Sequence, residues 1–241
     1  LGAPAVSPLV SLLGEEDLRG PAEDTLVLIG EEAVESLVHA LDEEGLCRAA
    51  AGVLVRIGRP AAGALIPVLG RPDATGEVAA EVLVAMGQSS VEPLVAALGN
   101  DDARVRQRAG DLLIGLGDMA TGPLIRALGH PDDRLRLGVI ETITRADRSA
   151  VAAPTGALQD EHYRVRLGAA EVLGRIGWLP ETEEETVSYL IAKEQWASVA
   201  EIGPGAVGPL IQALDDPDSA IQMGAARALG LIGAPAVAEL I

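Results

Sequence analysis

The sequence predicts an all-α fold, a right-handed α-solenoid of about eight helical-hairpin repeats of 26–30 residues. Three observations predict it. A glycine follows Ile or Leu, and once Met86, at a nearly constant interval. Between successive glycines, two separate apolar stripes recur with helical period. No run alternates with period two for long enough to form a strand. The register glycines are Gly30, Gly58, Gly87, Gly117, Gly177, Gly203 and Gly233, with Asp147 in the slot between Gly117 and Gly177. Their spacings are 28, 29, 30, 30, 30, 26 and 30, and Gly2 stands 28 before Gly30. The units are therefore 2–29, 30–57, 58–86, 87–116, 117–146, 147–176, 177–202, 203–232 and a partial 233–241, read as one array. Unit 177–202 is irregular.

Each element follows from local chemistry. In unit 87–116 the first stripe is Val91, Leu94, Val95 and Leu98, at i, i+3, i+4 and i+7 of a short helix. A polar turn ends at Asp102, and Asp132 and Asp218 hold the same place in their units. Aspartate there accepts hydrogen bonds from the first free N–H groups of the second helix. The second stripe is Val105, Ala109, Leu112, Leu113 and Leu116. Gly117 and its equivalents follow as left-handed residues that close the helix without a Cβ penalty. Pro8, Pro93, Pro123 and Pro209 recur inside the first helix, where the missing N–H is expected to bend it.

Composition agrees. The 241 residues are 49% hydrophobic, with 28 Gly, two Trp, two Tyr and no Phe, which suits thin layers of small aliphatic side chains. The net charge of −18 disfavours phosphate backbones and anionic lipid surfaces, so neither nucleic acid nor membrane is an expected partner. No apolar run reaches membrane-spanning length. Cys47 is the single cysteine, which points to a reduced, cytoplasmic setting.

The unit pattern, carried by Ala206–Ile211, Asp218 and Ala225–Gly233 and by Val91–Leu98, Asp102 and Val105–Arg106, resembles the HEAT-like repeat of the bilin-lyase type. That resemblance covers essentially the whole chain and implies the same solenoid fold. It leaves function open, because such proteins include lyases, hydroxylases and scaffolds. A hydroxylase of the deoxyhypusine type would carry repeated His-Glu pairs for two irons. Here the histidines read His39-Ala40, His130-Pro131 and His162-Tyr163. There is no phosphate loop, nucleophile elbow or HExxH. No catalytic residue, metal site or cofactor is expected. A HEAT-like DNA-repair glycosylase would need a basic face, which the charge opposes.

Two constellations are candidate binding features. All four aromatics, Tyr163, Trp178, Tyr189 and Trp196, fall in one 34-residue window at the irregular unit. Trp196, Val199 and Ile202 read as a core stripe. Tyr163 and Trp178, at a helix start and a turn, are the exposed pair, and a tetrapyrrole-handling lyase or chaperone would use such residues. The second constellation is arginine. Arg106, Arg136 and Arg166 recur every 30 residues beside the core stripe, and resemble the HEAT arginine that bonds an acid of a neighbouring unit. Asp102 and Asp132 are the expected partners.

Arg104, Arg134 and Arg164 also recur every 30 residues, toward the exposed face of the second helix, which in such repeats lines the concave side. Arg108 and Arg175 extend that stripe. Residues 1–47 hold 11 acids and one Arg, whereas residues 101–175 hold 11 acids and 11 Arg. The primary expectation is a noncatalytic scaffold binding another protein or an acidic peptide segment along this stripe. "GAPAV" stands at both residues 2–6 and 233–237. Val237, Leu240 and Ile241 then form an uncapped apolar stripe, so the array is expected to continue or to associate end to end.

Overall fold

The structure, a computed structural model, describes residues 3–146, 152–234 and 236. Among these no strand occurs, and the fold is an α-solenoid of hairpins. By contacts the chain forms two compact units, Leu1–Pro123 and Leu124–Ile241. Leu1, Gly2, Asp147, Val237, Leu240 and Ile241 lie outside the described residues.

In the first unit the leading helices of successive repeats are α1 (Val6–Leu12), α3 (Val34–Ala40), α5 (Arg59–Leu69) and α7 (Gln88–Ala97). The second helices are α2 (Arg19–Ile29), α4 (Cys47–Ile57), α6 (Ala74–Ala85) and α8 (Ala103–Leu116). Leading helices pack on leading helices and second on second, and each hairpin closes on itself, giving two layers. The stripes fill the space between them: Val91, Leu94, Leu98, Val105, Ala109 and Leu113 are all buried. Helix α9 (Asp118–Ala127) carries the boundary between the units.

The second unit contains α10 (Asp133–Arg145), α11 (Ala152–Ala157), α12 (Tyr163–Arg175), α13 (Glu183–Ala192), α14 (Trp196–Ile202), α15 (Val207–Ala213) and α16 (Ser219–Ile232). Helix α12 packs on α10, α11 and α13, and α14 packs on α13 and α16. Val187, Ile191, Val199, Val207, Leu210, Ile221 and Ala225 make its inner core, with Trp196 packed against them.

The register glycines are the joints. Gly30, Gly58, Gly87, Gly117, Gly177, Gly203 and Gly233 have φ between +53° and +78°, and no other described glycine has positive φ. The expected left-handed helical conformation is corrected in one respect. The ψ values are −127° at Gly30, −131° at Gly58 and −133° at Gly203, the mirror image of extended backbone. That region turns the chain sharply from one helix into the next, and a Cβ makes it strained.

The prolines also act differently from expectation at two sites. Short 3-10 turns, Ala3–Ala5 and Gly203–Ala206, lead into α1 and α15, so Pro8 and Pro209 are each the third α-helical residue. A first-turn N–H has no α-helical acceptor, so proline removes no bond there. Pro93 and Pro123 do lie deeper, within α7 and α9.

Two glycine substitutions separate joint from filler. Gly30 and Gly63 both have open space where a Cβ would stand, but only Gly30 has positive φ. Gly30→Ala should lower stability by about 1–3 kcal/mol through backbone strain alone. Gly63→Ala, on the exposed side of α5, should raise it by up to about 1 kcal/mol. Urea unfolding of the two variants checks this. Equal effects would mean that the joints are not conformationally required.

Candidate turn-edge site

The turns between helices set the geometry of the candidate site. In the hairpins α7–α8, α9–α10, α11–α12 and α15–α16 the connection runs 98–102, 128–132, 158–162 and 214–218, five residues each. Asp102 Oδ1 accepts the Arg104 N–H at 2.8 Å. Asp132 Oδ1 accepts those of Arg134 and Leu135 at 2.8 and 3.2 Å. Asp218 Oδ1 accepts the Ala220 N–H at 2.8 Å. The two backbone donors hold the Asp132 carboxyl below the usual carboxylate range.

A second turn position, which sequence reasoning missed, braces the first. The side chains of Asn100, Asp160 and Asp216 each accept the N–H two residues on, at 2.8 to 2.9 Å. At His130 the ring Nδ1 accepts the Asp132 N–H at 3.1 Å. The signal was present in sequence, since Asn and Asp favour such turns. Helix α12 is the exception at the cap itself. His162 occupies the cap position and makes no side-chain cap bond.

The inner arginine ladder does not pair as expected. Arg106 Nη1 donates to the carbonyls of Asn100 and Asp101, at 2.7 and 2.8 Å, rather than to Asp102 or Asp132. Those aspartates are engaged as caps. Arg136 Nη1 donates to the His130 carbonyl at 3.3 Å and pairs with Asp133 at 2.7 Å. Arg166 Nη1 donates to the Asp160 and Glu161 carbonyls at 2.9 and 3.2 Å. Gln222 repeats the bond to the Asp216 carbonyl at 2.8 Å. Each side chain therefore staples its own turn to its own helix, supplying donors for carbonyls that no helix satisfies.

Among the described residues, Arg166 alone of the three arginines also reaches an acid of another repeat. Its Nη2 meets Asp216 Oδ2 at 2.5 Å, with both side chains only 10% exposed. The pair joins unit 147–176 to unit 203–232 and bypasses unit 177–202. The reason is a shortened hairpin. The α13–α14 connection is only Lys193–Gln195, and Glu194 adopts φ +53°. The neighbouring turns then approach each other across the missing one.

The outer stripe divides. Arg104 is exposed, and its Nη1 lies 3.4 Å from the Gly70 carbonyl. Arg108 is turned inward. It donates to the Leu69 and Arg71 carbonyls, both at 3.3 Å, and pairs with Glu77 at 2.7 Å. Arg175 pairs with Glu171, one helical turn back, at 2.7 Å. Arg134 and Arg164 are exposed. Arg164 makes no hydrogen bond or ion pair with any described residue.

The aromatics do not converge. Trp178 and Tyr189 stand 5.8 Å apart, with Lys193 5.3 Å from the Tyr189 ring centre. Trp196 fills the space over Gly224, where a Cβ would collide with its ring. Tyr163 lies elsewhere, donating its hydroxyl to Glu194 at 2.5 Å with Arg166 6.0 Å from its ring. Burial, then the Glu194 carboxylate, pushes its hydroxyl pKa up to about 12.

A cavity of about 390 Å³ opens at this turn edge. Gly129 and Glu161–Arg164 line one side and Asp216–Asp218 the other. Gly129 is required there, because a Cβ would come within 2.7 Å of Val165. Among the described residues no group of three or more His, Cys, Asp or Glu is placed to hold a metal ion, and no helix is long and apolar enough to cross a membrane.

A family model described as HEAT repeats matches residues 121–202. The crystal structure of an engineered protein matches with a TM-score of 0.27 and 20% identity, covering 95% of this chain and 98% of that one. Human deoxyhypusine hydroxylase in complex with glycerol matches with a TM-score of 0.25 and 18% identity, covering 95% and 96%. At such TM-scores neither likeness bears on function. A comparison with curated proteins gave no match.

Two outcomes follow from the site's geometry. Removing one partner of the buried pair, as in Arg166→Met or Asp216→Leu, should cost about 3–5 kcal/mol by stranding a charge. The double variant should recover much of that loss, and a urea double-mutant cycle reads the coupling. In a Tyr189→Phe background, Tyr163 should ionise near 12 by phenolate absorbance. Unfolded tyrosine ionises near 10, so the folded state holds the proton longer. Tyr163 therefore contributes stability fully below about pH 10 and loses it between about 10 and 12.

Proposed function

We propose that the protein is a noncatalytic interaction scaffold that binds a partner protein through the outer face of its second helices. The observation that carries this reading is a duplicated surface on the adjacent helices α10 and α12. Arg134, Leu137, Glu141 and Arg145 on α10 stand 30 residues before Arg164, Leu167, Glu171 and Arg175 on α12. All lie on the outer side of their helices at helical spacing. Leu137 is 45% exposed, and Leu167 is half-buried.

Two rows of arginine thus flank a row of leucine. Arginine forks bind carboxylates bidentately, and apolar centres within charged rims are how protein interfaces gain affinity and specificity. An acidic segment with one apolar side fits this surface. The bilin-lyase resemblance rests on repeat pattern, and the split aromatics provide no shared wall for a tetrapyrrole. We therefore place the protein with scaffolds rather than lyases, and in the cytoplasm.

Affinity capture checks the surface by difference. Proteins retained by the wild-type chain should be lost with Leu137→Asp plus Arg175→Glu. They should be kept by Leu28→Asp, a more exposed leucine on α2 in the other unit (87% exposed). Equal retention by both variants, with unchanged helicity, would contradict the reading.

A further inference from the structure

The shortened hairpin reaches the turn edge only through Glu194, which accepts the Tyr163 hydroxyl, and a cavity remains beside that contact. Elsewhere turns press on neighbouring repeats. Arg71 grips Asp42 of the preceding turn with two bonds, 2.9 and 2.7 Å, and Thr75 adds one at 2.6 Å. Gly70 lies so close to the next repeat that a Cβ would be 2.9 Å from Asp102 Oδ2. Between the α11–α12 and α15–α16 turns, the corresponding turn is reduced to Lys193–Gln195. The cavity stands at that gap, and its volume lies within the range of ligand pockets.

The wall's charges decide what the gap accepts. Asp216 is engaged on both oxygens, by Arg166 and by the Asp218 N–H. Asp218 caps α16, and Asp160 accepts the His162 N–H. Glu161 lies 3.7 Å from His162 Nδ1. The charged side chain of the wall with no partner among the described residues is Arg164. The related Arg104 leans on the Gly70 carbonyl, whereas Arg164 makes no such bond to a described group. The adjacent first N–H groups of α12 also have no side-chain cap.

We propose that this gap is a docking slot for a carboxylate-bearing turn of a partner protein, which takes the place of the turn that unit 177–202 lacks. Arg164 grips the carboxylate, and the Asp216–Asp218 turn forms the opposite wall. The overall charge of −18 opposes an acidic partner at long range. Screening confines that repulsion to about 8 Å at physiological salt, so the contact at Arg164 governs affinity. The proposal rests on the scaffold reading but uses the turn edge rather than the α10–α12 face.

The protein's own regular turn supplies the probe. A capped peptide LGNDDAR, the sequence of residues 98–104, is titrated into the isotope-labelled chain and followed by amide NMR shifts. Saturable shifts should appear at His162–Arg164 and Asp216–Asp218 with a Kd of about 1 mM or tighter. They should disappear with the peptide LGNNNAR. Arg164→Gln should weaken binding by about tenfold, and Arg164→Lys should restore part of it. Both variants must melt like wild type, as expected for an exposed residue. No shifts at about 5 mM peptide, or an equal response in Arg164→Gln, would overturn the slot. Shifts confined to α10 and the outer face of α12 would overturn it while leaving the scaffold reading intact.

Discussion

A stack of hairpins is stable only through its nearest neighbours, so a short repeat threatens the continuity of everything after it. In the second unit the short hairpin still packs on both neighbours through α13 and α14, and one further contact, Arg166 with Asp216, bridges at the turn edge from the repeat before it to the one beyond it. Every part of the pair is held in advance. The Arg166 guanidinium is aimed by two turn carbonyls, and the Asp216 carboxylate by the Asp218 N–H. Such bracing is what lets a buried ion pair offset its desolvation, which otherwise rivals the Coulomb attraction.

Around this bridge the repeat uses two inexpensive devices. Register glycines reverse the chain at each joint, and in four repeats one long side chain, Arg106, Arg136, Arg166 or Gln222, returns to the carbonyls of its turn. Both act within a repeat and so survive changes in spacing. The bridge, by contrast, exists because the spacing changed. Beside the same shortened hairpin lies the cavity at Arg164.

Much of the fold was legible because it is written in residue types with narrow conformational meaning. Glycine marked the joints, aspartate the caps, and aliphatic stripes the two layers. The arginine partners were not legible, because Arg106 and Arg108 bond to main-chain carbonyls, which have no side-chain signature. Arg108 looked available from its helical position, yet Glu77 and the Leu69 and Arg71 carbonyls engage it from the preceding repeat. The Arg166–Asp216 pair lies 50 residues apart, across a repeat that a periodic reading expects to intervene. The clue was the 26-residue spacing, which signals a missing turn once the five-residue turns are known.

The two surfaces proposed for partner binding lie where periodicity fails and where it repeats: a slot at the interrupted turn edge, and a duplicated arginine–leucine face on α10 and α12. Both depend on α12 being fixed by its link to Asp216. Native-state hydrogen exchange in Asp216→Asn tests that link most directly. The account predicts that amides of α12 and α16 lose protection together, although they are distant in sequence. Loss confined to α16 and its own turn, with α12 as protected as in the wild type, would contradict it.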